Sequence, residues 1–348
     1  MKTILRAVVA LLSVSVTALA QEAPAKKLGI GLYGSNGHQI SPAKLAKHAQ
    51  AQLVAVAGLR ANATTALPAE VKRHASLDEL IADPAVQLVS LCSPRRADQA
   101  RDAIRCLEAG KHVYAEKPSA LTEAELDQIL ATARRTGRTF HEMAGTVFTA
   151  NYAPMRKLVR AGAVGEVVQI LAQKSYRYGT SRAQDEAIDG GQFLQAGIHA
   201  ARMVEHVSGV RIKSITGWET EFGSPQEGDG KTASAAQIVL ENGGIATITM
   251  NYLNPGHAQL PHGYETLRVF GTKGMIESVD GGARTRLVTA KAIIDPLERT
   301  DSGAGDYFDF VVANLTTGAA MPLTLDEELH PLRMLLRAKE EIRRRAAK

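Results

Sequence analysis

The sequence predicts an α/β protein in two parts: an N-terminal doubly wound parallel sheet, then a C-terminal α+β domain built on a mostly antiparallel open sheet. Three observations lead there. Apolar strand patterns alternate with amphipathic helix patterns from Leu28 to Phe140, as in a parallel sheet covered on both faces. Beyond Pro154 short strand patterns follow one another directly, two of them joined by the hairpin turn Asn242-Gly243-Gly244. The 348 residues also exceed what one core usually holds. The divisions implied are a leader over 1–20, a first domain over 28–150, a second over 151–322 and a closing helix over 323–348.

The chain starts with Lys2 and Arg6, an apolar run from Ala7 to Ala20, and Ala18-Leu19-Ala20 before Gln21, the form of a secretory signal and its cleavage site. An uncleaved anchor is the alternative, but the run is short for a bilayer, and neither a twin arginine nor a lipid-accepting Cys accompanies it. The expected product is periplasmic or secreted, with no membrane segment after cleavage. The 41 Lys and Arg against 36 Asp and Glu include Lys2 and Arg6, so the remainder is close to neutral. No basic run is interleaved with aromatics, and nucleic acid is not an expected partner. Arg343-Arg344-Arg345 reads as a solvated helix C-terminus, where cations suit the dipole. Cys92 and Cys106 read as small core residues, and without H-E-x-x-H or C-x-x-C no metal is expected.

In chain order, a strand over Leu28 to Leu32 runs into Gly34-Ser35-Asn36-Gly37 and then a helix carrying Leu45. Glycines there let backbone amides approach and face a pyrophosphate. The match to G-x-G-x-x-G is incomplete, with Leu32 where the first glycine belongs, and a plain tight turn is the alternative. A second strand over Leu53 to Ala57 ends at Gly58-Leu59-Arg60, where the acidic residue that holds the ribose of NAD is missing. A guanidinium there suits a 2′-phosphate, which favours NADP, with a solvent-facing Arg as the alternative. Capping boxes at Ser76 to Glu79 and Thr122 to Glu125 open helices, and Val86 to Cys92 is a near-continuous apolar strand that stops at Ser93-Pro94.

The stretch Leu107 to Pro118, LEAGKHVYAEKP, carries the most chemistry. Ala100, Ala103, Ile104 and Leu107 form a helix stripe, Gly110 takes the left-handed position after it, and His112 to Ala115 makes a strand. Residues just past such a strand point into the ligand crevice, which is where Glu116 and Lys117 land; an ordinary solvated pair is the alternative. In the second half, strands are expected over Val167 to Ser175, Ile212 to Trp218, Ala235 to Leu240, Ala246 to Tyr252 and Thr266 to Phe270. Between the first two lies a helical segment, Gly190 to Arg202, with a polar row at Gln195, His199 and Arg202. A lone His199 on such a helix is more often a satisfied core histidine. The closing helix is capped at Thr324 against Glu327.

With these motifs in place, nearly all of the chain after the leader resembles the Gfo/Idh/MocA oxidoreductase family. The resemblance rests on the glycine-turn start, Ser93-Pro94, Glu116-Lys117-Pro118, the Y-x-P segment at Tyr152 to Pro154 and the helix leading to His199. It implies a Rossmann dinucleotide domain and a nicotinamide-dependent enzyme acting on sugars, inositols or related polyols. Lys117 and His199 stand at the matching catalytic positions, with Gln195 beside them, and Gly34, Ser35, Asn36, Gly37, Arg60, Ser93, Pro94, Glu116 and Lys117 would hold NAD(P). The sequence departs from the family at Gln195 and Arg202, where Asp is common, at Asp98 in place of His, and at Asn151 in place of Arg. A Gln orients but carries no proton, so acid/base work falls on Lys117, His199 or a neighbouring Tyr. Tyr176, Tyr178, Arg182, His257 and His262 are further candidates for the pocket.

Three readings follow. The first is an exported NAD(P)-dependent oxidoreductase acting on a carbinol carbon. The second is a glycosidase or lyase whose bound cofactor is recycled within each turnover, and the third a binding protein that kept the pocket and lost the chemistry. A homo-oligomer through the second-domain sheet is expected because an open sheet invites pairing.

Overall fold

The computed structural model describes residues 27–61, 67–179, 182–228, 230–255, 257, 263–298 and 307–348; the leader and cleavage site expected over 1–20 lie outside them, as does His262. Strands β1 (Leu28–Tyr33), β2 (Ala51–Ala57), β3 (Lys72–His74), β4 (Leu88–Leu91), β5 (His112–Ala115) and β6 (Phe140–Glu142) form one sheet in the order 3-2-1-4-5-6. Every pairing in it is parallel. β1 and β4 are buried almost throughout because helices cover both faces. The helix Glu123–Thr136 shows why such elements start and stop where they do. Thr122 and Glu125 close a reciprocal capping box, and Gly137 ends the helix at φ 63°. Strand order reverses between β1 and β4, which places a ligand crevice outside their carboxyl ends.

The second sheet has eight strands: β7 (Val167–Arg177), β8 (Ile212–Thr220), β9 (Ala233–Leu240), β10 (Ile245–Asn254), β11 (Gly263–Gly271), β12 (Gly274–Val279), β13 (Arg284–Thr289) and β14 (Ile293–Ile294), ordered 14-13-12-11-7-10-9-8. It is antiparallel except where β10 runs parallel to β7. Alternating burial along β9 and β10 gives it one covered face and one open face. The helices Gln192–Arg202 and Leu325–Ala346 cover the inner face, Gly197 packing against Met250 and Leu335. The helix Tyr307–Thr317 returns to the first domain, where Tyr307, Phe308, Val311 and Val312 pack with Ile30, Leu32 and Leu45.

Candidate functional site

The glycine turn after β1 is held from three sides. Gly34 has φ 70°, and a Cβ on it would sit 2.0 Å from the Cys92 carbonyl oxygen at the end of β4, so no other residue fits there. Its N–H donates to the Ala57 carbonyl at the end of β2 (3.0 Å), and the Arg60 N–H donates to Ser35 Oγ (3.1 Å). Arg60 is thereby placed beside the turn with its side chain exposed. Asn36 Nδ2 donates to the carbonyls of Pro94 (3.2 Å) and Ile188 (2.5 Å), tying the turn to both domains.

Glu116, past the end of β5, is buried and turned toward that same loop. Its carboxylate accepts the His38 backbone N–H (3.1 Å) and meets His38 Nδ1 (3.0 Å). These contacts and the nearby Lys117 hold its carboxyl below the usual value against the upward push of burial. Gly37 lies over it: a Cβ there would meet Glu116 Cγ at 2.6 Å. Ser93 is used inside the protein, its hydroxyl donating to Asp102 (2.8 Å) and its N–H to Gln99 Oε1 (2.9 Å).

Arg96 was not singled out in the sequence. Its Nη2 donates to the Asn36 carbonyl (2.8 Å), while Nε and Nη1 are buried and have no partner. Two buried guanidinium donors without acceptors, beside a turn tied into the switch point, fit an anionic group such as a dinucleotide.

Lys117 and His199 line one cleft of about 470 Å³, together with His38, Tyr114, Glu116, Met143, Thr146 and Glu265. Lys117 is 2% exposed; its Nζ donates to the backbone carbonyl of Gln195 (3.0 Å) and lies 4.0 Å from Glu116 Oε1. Burial lowers its pKa to about 8, with Glu116 opposing the shift. His199 Nδ1 meets Thr146 Oγ1 (2.9 Å), its Nε2 is buried without a partner, and burial with the nearby Lys117 charge pushes its pKa well below the usual value. Both effects favour its neutral form. The Gln195 side-chain oxygen accepts a hydrogen bond from the Tyr252 hydroxyl (2.8 Å).

The other sequence candidates are dispersed. Arg202, grouped with Gln195 and His199 as a polar row, instead points into the interior and pairs with Glu142. Asp98 pairs at the surface with Arg101 (3.1 Å). Tyr176 is buried, its ring 4.9 Å from Lys174 Nζ, and Lys174 pairs with Glu265. Tyr178 donates to the Gly223 carbonyl (2.8 Å), and His257 is exposed. Thr146 and Glu265 were missed because only the folded chain brings them to the cleft, and Lys174 because it reaches the site only through its pair with Glu265. No group of three or more metal-ligating side chains occurs among the described residues.

Comparison with known proteins agrees with this architecture. Residues 28–143 match the oxidoreductase family, NAD-binding Rossmann fold, and residues 152–277 match the GFO/IDH/MocA C-terminal domain. The chain is 30% identical over 42% of its length to a trans-1,2-dihydrobenzene-1,2-diol dehydrogenase of Xenopus tropicalis. It is 24% identical over 59% of its length to a myo-inositol 2-dehydrogenase of Thermotoga maritima. The matches span 44% and 60% of those proteins. The fold is that of an aldose-aldose oxidoreductase from Caulobacter crescentus complexed with glycerol, with TM-score 0.77 and 21% identity over 93% of this chain and 99% of that one.

Proposed function

The chain belongs to the Gfo/Idh/MocA oxidoreductase family, and on that premise we propose that it is an exported NAD(P)-dependent oxidoreductase acting on a carbinol carbon of a sugar, inositol or glycoside. The observation that carries this reading is the meeting of Lys117 from the first domain and His199 from the second on one cleft, the His199 Nε2 being free for a ligand. The glycine turn over residues 34–37 and Arg96 would hold the pyrophosphate, and Arg60 favours the 2′-phosphate of NADP. A bound nicotinamide supplies the acceptor or donor of hydride.

The protein's own task is the proton. When a carbinol is oxidised, its hydroxyl proton must leave as the carbonyl forms. An amine with a pKa of about 8 is close enough to neutral to take that proton or return it. Its geometry is fixed by the Gln195 carbonyl and the Glu116 carboxylate. With Nδ1 donating to Thr146, His199 offers a lone pair at Nε2 to the same oxygen or a neighbouring hydroxyl.

A second reading, a glycosidase or lyase that recycles its cofactor, draws support from the segment preceding Gln192. Ile188 accepts from Asn36 of the glycine turn, and Gly190 lies so close to Pro118 that a Cβ would meet its Cγ at 2.8 Å. Chain from the second domain thus crosses the crevice, an arrangement suited to a retained cofactor.

Absorbance of the purified protein with NADP or NAD, before and after sugars, inositols and glycosides are added, tests the assignment. Net reduction of the nicotinamide supports the first reading. Glycoside cleavage without net cofactor change supports the second, and neither result leaves a binding protein of the same fold. Intact mass of the exported protein tests the leader; retention of Met1 to Ala20 would refute it.

A further inference from the structure

The chain between β7 and the helix Gln192–Arg202 is fastened to both domains, by contacts of unequal strength. On the second-domain side, the Arg182 guanidinium carbon lies 4.1 Å from the Tyr252 ring centroid and 4.9 Å from that of Tyr176. Glu186 meets Lys339 Nζ of the closing helix (2.7 Å), a buried lysine that also meets Glu219 (2.6 Å). On the first-domain side, Asn36 Nδ2 of the glycine turn donates to the Ile188 carbonyl (2.5 Å). Gly190 packs so closely that a Cβ on it would sit 2.8 Å from Pro118 Cγ and 3.3 Å from Arg96 Cγ. Residues 185–190 thus touch the loops that leave β1, β4 and β5, neighbours at the switch point. The last contact on this side is Arg95 with Asp185 (3.6 Å), both side chains more than half exposed. An exposed ion pair and a single amide hydrogen bond each contribute little, whereas the Lys339 contacts are shielded from water. The joint therefore yields on its first-domain side. Arg96 Nε and Nη1, the donors suited to an anion, are closed off from solvent in this arrangement, so a ligand meets them only after the chain around Arg96 has moved.

We propose that residues 185–190 form a strap that gates the dinucleotide seat, parting from Asn36 and Arg95 to admit or release the cofactor and lying shut across the glycine turn between those events. The inference rests on the oxidoreductase reading given above and adds to it the step that sets how fast the cofactor exchanges. A gate has a kinetic signature that a fixed wall lacks. Entry that waits for the strap stops responding to dinucleotide concentration once opening is limiting, and exit cannot outrun opening. Because the first-domain contacts are weak, small changes in them alter exchange while the donors of the glycine turn stay in place.

The test is stopped-flow nicotinamide fluorescence of the full exported chain mixed with NADPH or NADH. The wild-type binding rate is expected to level off as the dinucleotide rises. Asp185→Ala removes the Arg95 contact and the bond that the carboxylate accepts from the Ala187 N–H (2.8 Å), and should raise both the plateau and the release rate about 10-fold. The converse variant joins Arg95→Cys to Asp185→Cys through bismaleimidoethane; Cys92 and Cys106 are buried and do not compete for the reagent. Bridged after loading, it should hold its dinucleotide far longer than the same protein unbridged, and bridged empty it should exclude the dinucleotide. A wild-type rate that climbs linearly throughout, a release rate unchanged in Asp185→Ala, or a bridged protein that exchanges as fast as the unbridged one overturns the proposal. Failure to bind NADPH or NADH overturns the oxidoreductase reading and this one with it, whereas binding without these signs of a gate overturns this one alone.

Discussion

Lys117 is a lysine in a place that disfavours its charge, and two consequences follow from the sign of that shift. Its folded pKa is about 8 against 10.5 for the free side chain, so between those values the unfolded chain holds a proton that the folded protein does not. Folding stability should therefore rise as pH goes from about 8 to 10.5, by about 3 kcal/mol from this group. Urea unfolding at pH 7 and pH 10 checks it: Lys117→Met should be closer to the wild type in stability at pH 10 than at pH 7, where it should be the more stable of the two. The second consequence is kinetic. Oxidation should rise with pH through an apparent midpoint near 8, and Lys117→Ala should lower turnover on the order of 10²-fold with dinucleotide affinity little changed. His199→Ala should do likewise. Gln195→Ala should cost less, because the carbonyl that holds Lys117 belongs to the backbone and survives the substitution, while only the bond to Tyr252 is lost. Near-normal turnover in both the Lys117 and His199 variants would leave the family likeness as one of fold only.

Among elements, the turn between β1 and the helix Pro42–Lys47 has the least freedom. In Gly34→Ala the new methyl meets the Cys92 carbonyl and the backbone is held at positive φ, so a loss of about 1–3 kcal/mol or more is expected together with loss of dinucleotide binding. Thermal unfolding and nicotinamide fluorescence measure the two effects. At the second sheet, Ile245 pairs with Val239 across β9 and β10 on the open face, and Leu253, toward the other end of β10, is exposed as well. A second copy covering that face is the proposed oligomer, and Ile245→Lys should shift the particle to a monomer in light scattering; an unchanged mass would remove the sheet face as the interface.

What the sequence made legible follows the same division. The helix over 123–136 was readable because both ends carry local chemistry, Thr122 with Glu125 and Gly137. The strand at His112 to Ala115 was bounded by Gly110 and the Glu-Lys-Pro that follows. The helix Tyr307–Thr317 escaped because its mostly apolar sequence shows no clear amphipathic stripe, and the parallel pairing of β10 with β7 escaped because register between distant segments leaves no local trace. At the site, Lys117 and His199 were visible through short motifs. Arg96, Thr146 and Glu265 were not, since their roles come from which strand ends the topology places together.

At the scale of the whole molecule, the two domains and the closing helix share a buried ionic cluster, which gives Arg202 its role. Arg202, fully buried on the second-domain helix, pairs with Glu142 at the end of β6 and donates to the Met143 carbonyl (2.8 Å). Glu142 Oε1 accepts the Ser119 N–H (2.7 Å), two residues beyond Lys117. Glu328 of the closing helix accepts the Glu142 N–H (2.6 Å) and the Tyr307 hydroxyl (2.7 Å) and meets His141 Nδ1 (2.8 Å). Arg202→Met leaves the Glu142 carboxylate buried without its cation, which should cost about 3–5 kcal/mol. Adding Glu142→Leu removes that charge and should recover most of the loss, since buried pairs replaced by apolar groups of similar size are often neutral. Recovery stays incomplete because the Ser119 N–H is then unpaired in the interior, at about 1–3 kcal/mol. The expected order in urea unfolding is wild type, then the double variant, then Arg202→Met. A double variant no more stable than the single one would show that the pair does not act as a unit. Because Glu142 anchors the segment that carries Lys117, turnover in the double variant should fall more than dinucleotide affinity, and equal losses in both would place the cluster in folding alone.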